Sequence, residues 1–108
     1  MNDKDMLILA AKAADIELQQ WVESLGKFFL EPYQQHWNPL TDDGDAFRLA
    51  VTLQLDIQNS LGKTCEVSRW DKGFDDYVYY IEDYSDDPRA ATRRAIVRAA
   101  VEIGRFRK

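Results

Sequence analysis

Apolar residues recur at two spacings along this chain, and the two spacings divide it into helices and strands. In residues 3–14 (DKDMLILAAKAA), Leu7, Ala10, Ala11 and Ala14 share one helical face, and Asp3 and Asp5 sit where a helix N-terminus favours negative charge. The stripe Leu7, Ala11, Ala14, Leu18, Val22 and Leu25 continues to Gly26, yet Ile16, Leu18 and Val22 also alternate as a strand would. Asp15 is a poor helix-interior residue, which favours a break there. Residues 27–31 (KFFLE) are short, aromatic and stopped by Pro32, the pattern of a second strand. EPYQQHW then reads as a connecting loop.

Proline at position 39 forces Asn38 out of the helical region, so a new helix starts after it. Thr41 is the expected N-cap of a helix over about 41–54, with Asp42, Asp43 and Asp45 in its first turn. Ala46, Phe47, Leu49, Ala50, Val51 and Leu53 cover roughly 200° of its wheel, leaving Asp45, Arg48 and Thr52 as a narrow polar stripe. So wide an apolar arc predicts a largely buried helix, with Asp45 and Arg48 at pairing distance. Residues 55–83 read as a meander of LDIQNS, TCEVSRW and YVYYIED, separated by Leu61-Gly62-Lys63 and Asp71-Lys72-Gly73. In the last strand Tyr77, Tyr79 and Ile81 share one face and Val78 and Tyr80 the other. Apolar residues on both faces predict cover on both faces. A final helix over about 88–105 opens with Asp86, Asp87 and Pro88. Its inward face is Ala95, Ile96, Ala99, Ala100 and Ile103, and its outward row is Arg94, Arg98 and Arg105.

Composition changes this picture only modestly. At 108 residues and 45% hydrophobic content, the expectation is one domain spanning 1–108. No apolar run approaches the ~20 residues of a membrane span, and MNDKDMLIL carries acids where a signal peptide is basic, so a cytoplasmic protein is expected. Cys65 is the only cysteine, excluding an internal disulfide and reading as a small core residue. The net charge of −5 is unevenly spread. Residues 31–87 hold four basic and thirteen acidic side chains, whereas residues 88–108 hold seven basic and one acidic. The two regions either neutralise each other in the fold or present surfaces of opposite sign.

WNPLTDDGDAFRLAV (37–51) and AATRRAIVRAAVEIG (90–104) resemble the two signature segments of the phage ABA-sandwich domain family, small phage and prophage proteins. AAKAADIEL (10–18) resembles that family's opening helix and first strand. Together these segments cover about a third of the chain, in the family's order. The resemblance implies a three-layer α/β/α sandwich with helices on both faces of a mainly antiparallel sheet, in a protein working in the bacterial host cytoplasm. The family usually has glycine where this chain has Asp15. No activity comes with the family that could be assigned residue by residue.

Candidate chemistry is sparse. Asp42, Asp43 and Asp45 around Gly44 lack the twelve-residue spacing and final glutamate of a calcium loop, and a capped helix start accounts for them. His36 has no second histidine or cysteine near it in sequence and reads as a surface or packing residue. The row Arg94, Arg98 and Arg105, with Arg107 and Lys108 beyond, is a candidate phosphate contact, balanced against a solvated helix face. Residues 70–87 (WDKGFDDYVYYIEDYSDD) carry seven acids, one lysine and six aromatics. Carboxylates can replace phosphates in a basic groove while aromatics anchor, which makes Trp70, Asp75, Asp76, Tyr80, Glu82 and Asp83 the candidate partner-binding set. No nucleophile elbow, phosphate loop or metalloprotease motif is present.

The expectation is therefore a non-enzymatic accessory protein without cofactor or metal that binds a host protein or complex. Inhibition of host defence, anti-CRISPR-like or anti-restriction-like, is the role expected within that class. A nucleic-acid binder using the arginine helix is the alternative, and a hydrolase with an unrecognised acidic site is third. The sequence leaves the oligomeric state open.

Overall fold

A computed structural model describes residues 1–30, 35–60, 63–73, 75–84 and 86–107. The expected stop at Pro32, the Leu61-Gly62 turn and Lys108 lie outside them. The chain is α+β, with three helices and two separate three-stranded antiparallel sheets.

Helix α1 (Asp3–Ala14) starts where Asn2 accepts the Asp5 amide at 2.8 Å. It stops at Asp15, which takes a left-handed conformation (φ 57°) while Ile16 N donates back to Ala11 O. Aspartate is one of the few non-glycine residues that visits this region readily, so the break needs no glycine. Strands β1 (Leu18–Val22), β2 (Lys27–Leu30) and β3 (Gln35–Trp37) follow as the first sheet. Residues 35–37 were expected in a loop. Their pairing with β2 places Trp37 opposite Phe28, and both are buried, so burial of two aromatics holds a strand too short to show periodicity.

Asn38 joins this sheet to α2 (Asp43–Thr52). Its Nδ2 donates to Gly26 O at 2.6 Å, and its backbone N donates to Asp45 Oδ2 at 2.9 Å. The N-cap is Asp42, not Thr41: its Oδ2 accepts the Asp45 amide at 2.8 Å. Asp45 is therefore buried rather than part of a solvated stripe, although it still pairs with Arg48 at 2.7 Å as expected. The helix is also less enclosed than its apolar arc predicted. Ala46, Leu49, Ala50 and Leu53 are buried, but Phe47 and Val51 stay 65% and 59% exposed. The described residues cover only one side of the helix.

Strands β4 (Asp56–Asn59), β5 (Thr64–Asp71) and β6 (Asp76–Asp83) form the second sheet in that order. Helix α3 (Pro88–Arg105), capped by Asp87 with proline in its first turn, packs on β5 and β6. Its alanine face meets α1 so closely that a Cβ on Gly104 would lie 1.9 Å from Leu9 O. The alanines of both helices make this approach geometrically accessible. No helix is long and apolar enough to cross a membrane among the described residues.

Candidate interaction surface

The alternation of β5 and β6 divides eight cross-strand pairs between two faces. Toward α3 point Cys65, Val67, Arg69, Val78, Tyr80 and Glu82, and Cys65, Val67 and Val78 are almost fully buried. Away from α3 point Trp70, Tyr77, Tyr79 and Ile81, each 53–58% exposed. The cover expected on both faces is thus present on one. Trp70 and Tyr77 are partners in register and meet edge-on with ring centroids 5.3 Å apart. Ser68 lies beside Tyr79, Glu66 beside Ile81, and Thr64 beside Asp83. Asp75, in a left-handed turn conformation, and Asp76 stand exposed at the end of the hairpin. Among the described residues no cation pairs with Glu66, Asp75, Asp76 or Asp83.

This geometry splits the partner-binding set expected from sequence. Trp70 and Asp83 lie on the outer face and Asp75 in the turn at its end, while Asp76, in register with Asp71, shares the parity of Val78 and Tyr80 and is exposed at the strand's start. Tyr80 and Glu82 belong to the other side. The Tyr80 hydroxyl reaches Glu102 Oε2 at 3.4 Å, and burial, then Glu102, push its phenol above the usual value. Glu82 is a structural anchor: its two carboxylate oxygens receive Arg94 Nε at 2.6 Å and Arg98 Nη1 at 2.5 Å. Tyr77, Tyr79 and Ile81 take their places on the exposed face. Strand parity was the available signal: Cys65 and Val67 face the core, and the register carries Tyr80 and Glu82 there with them.

The arginine row is similarly reassigned. Arg94 and Arg98 are half-exposed but both turn to Glu82, while Arg105 lies 3.9 Å from Glu102. Arg93, on the same helix, binds Leu40 O at 2.8 Å and Asp43 Oδ1 at 2.6 Å. Much of the basic helix therefore neutralises the acidic body, as one of the two charge readings held. Asp42 sits 3.9 Å from Arg48, so each of the three aspartates of the α2 turn faces an arginine. Among the described residues no cluster of potential metal ligands forms. His36 is exposed, its ring tilted against Phe29 at 4.8 Å. The Cys65 thiol is buried beneath α3, and burial pushes its pKa up.

Several concavities border the second sheet among the described residues. One, of about 490 Å³, lies between α2, β4 and the start of α3 and is floored by Phe47, Ile57, Tyr84 and Ile96. Another, of about 400 Å³, is lined by Asp76 to Tyr80 and Glu102. Compared with protein-family models, with curated proteins and with solved structures, the chain matches none.

Proposed function

We propose that this chain is a small phage or prophage accessory protein that binds a basic macromolecule of the bacterial host through the outer face of β5 and β6. The observation that carries the reading is the content of that face. Trp70, Tyr77, Tyr79 and Ile81 are each more than half exposed, beside the carboxylates Glu66 and Asp83, which have no ion-pair partner among the described residues. A contiguous exposed apolar patch rimmed by acids has the composition of a docking surface for a cationic partner. In this reading the partner covers the second face of the sheet and completes a three-layer arrangement that the chain begins. The phage setting rests on the two segments 37–51 and 90–104. Blocking a basic groove in a host defence complex is the action such a surface performs without catalysis.

The test is affinity capture from bacterial host lysate with the full chain as bait. The expected result is one basic partner in stoichiometric amount, lost when Asp75, Asp76 and Asp83 are reversed to lysine. Unchanged capture by the reversed chain overturns the reading. Glu82 is left intact because it holds α3.

Binding of nucleic acid by the arginine row is a second reading, favoured by the half-exposed Arg94, Arg98 and Arg105 along one helix face. It requires DNA binding that weakens steeply with salt and falls on Arg94→Gln plus Arg105→Gln substitution.

A further inference from the structure

Among the described residues no strand pairs with the outer side of β6, and that edge of the sheet has a definite hydrogen-bonding phase. Tyr84 N donates to Lys63 O at 2.9 Å, which fixes 63 and 84 as a hydrogen-bonded pair of the antiparallel ladder. Counting along the unbroken register, Val78, Tyr80 and Glu82 turn their backbone groups to β5. The N–H and C=O groups of Tyr77, Tyr79 and Ile81 therefore point away from the sheet. Tyr77 N, with no strand beside it among the described residues, donates to the Asp76 carboxylate at 2.7 Å. The cavity of about 400 Å³ is lined by five consecutive residues of this strand, Asp76 to Tyr80. Consecutive strand residues point to opposite faces, so a space touching all five runs along the edge itself.

Edges of this length are ordinarily protected by proline, lysine, a bulge or a short strand. β6 is eight residues long, contains no proline and pairs with β5 without a bulge, so the protection it carries is negative charge, at Asp76, Glu82 and Asp83. The opposite edge of the sheet, β4, has only four residues.

We propose that the edge of β6 is a strand-addition site that takes an extended basic segment of the partner. The proposal rests on the reading of the outer face as a partner surface and adds the mode of engagement. Main-chain bonds to Tyr77, Tyr79 and Ile81 supply the attachment. Lysine or arginine at alternate positions of the incoming strand lies beside Tyr77, Tyr79 and the carboxylate of Asp83, which share the outer face. Arg98 and Arg105, whose charges act on Tyr80 of this strand, are already turned to Glu82 and Glu102. A second copy of β6 is disfavoured by charge, because the strand carries Asp76, Glu82 and Asp83 and no cation.

The probe is a capped synthetic peptide of alternating lysine and threonine, about as long as β6 itself, added to the isotope-labelled full chain. Amide hydrogen exchange is read residue by residue. Exchange at Tyr77, Tyr79 and Ile81 is expected to slow at least about tenfold at saturation, with Val78, Tyr80 and Glu82 unchanged. Two further peptides, N-methylated at odd or at even positions, leave the protein untouched; one of the two is expected to lose binding and the other to keep it. The proposal is overturned if the peptide does not bind, if the three outward amides are unaffected, or if both N-methylated peptides bind as the parent does. Protection of the same amides without peptide, together with a dimer in sedimentation, overturns it in favour of a second copy. Failure here alongside loss of lysate capture by the aspartate reversals leaves the outer-face reading standing and removes only the strand addition.

Discussion

The two faces of the β4–β6 sheet are made from the same strands and treat apolar residues in opposite ways. The inner face carries the smaller groups Cys65, Val67 and Val78 and buries them almost completely under α3. Across the same backbone the outer face carries Trp70, Tyr77, Tyr79 and Ile81 and leaves each more than half exposed. Burying a side chain of that size is worth about 1.5–3 kcal/mol, so the face with more to gain from cover is the uncovered one. Stability of the isolated chain does not account for that choice of residues; the proposed contact with a second molecule would. Charge follows the same division. Acids on the inner side, Glu82 and Glu102, are turned to arginines of α3, whereas Asp83 and Glu66 on the outer side have no cation among the described residues.

Substitutions that thicken or hollow the inner side should be costly. The largest effect is expected at Gly104, where the helix pair behind the sheet has no room for a methyl group. Gly104→Ala should destabilise the fold by about 3 kcal/mol, because the obstructing atoms are backbone and cannot rotate away. Thermal unfolding checks this. Val67→Ala should cost about 2 kcal/mol through a cavity under α3, and a loss equal to that of an outer-face substitution would erase the distinction between the faces. Glu82→Gln comes next, at about 1 kcal/mol, since its two arginines are half-exposed and screened. Its cost should shrink as salt is raised, and a salt-independent loss would count against the ion-pair account.

Tyr80 supplies a smaller and pH-confined effect. Its folded pKa is raised above the ordinary 10.0 by burial and by Glu102. The folded form holds its proton after the unfolded form has released it. Stability is therefore fully present below pH 10 and declines as pH rises from there through the folded pKa. Tyr80→Phe should flatten that alkaline decline in denaturant titrations and leave the neutral value nearly unchanged. An unaltered decline would place its origin in another group.

How much of this was legible in the sequence depended on element length and on what lay outside the chain. Helices α1 and α3 were readable because their caps and alanine faces act locally, and Asp15 marked its own break. β3 was not, since three residues show no period and Trp37 is held by Phe28 across the sheet. The width of the apolar arc overstated the burial of α2: Phe47 and Val51 are apolar without being covered. The same confusion affected β6, where two apolar faces were taken to mean two layers of cover. Composition located the acidic and aromatic segment 70–87, and alternation separated Tyr77, Tyr79 and Ile81 from Val78 and Tyr80, but only the pairing with Cys65 and Val67 shows which of the two faces is buried.

The central claim is that the outer face serves binding and not folding, and one variant tests both halves at once. Tyr79→Thr and Ile81→Thr combined should lower the unfolding free energy by no more than about 1 kcal/mol, about 0.5 kcal/mol for each surface substitution. The same chain should retain no stoichiometric partner from host lysate. A loss of stability comparable to that of Val67→Ala, or undiminished capture of the partner, would contradict the account.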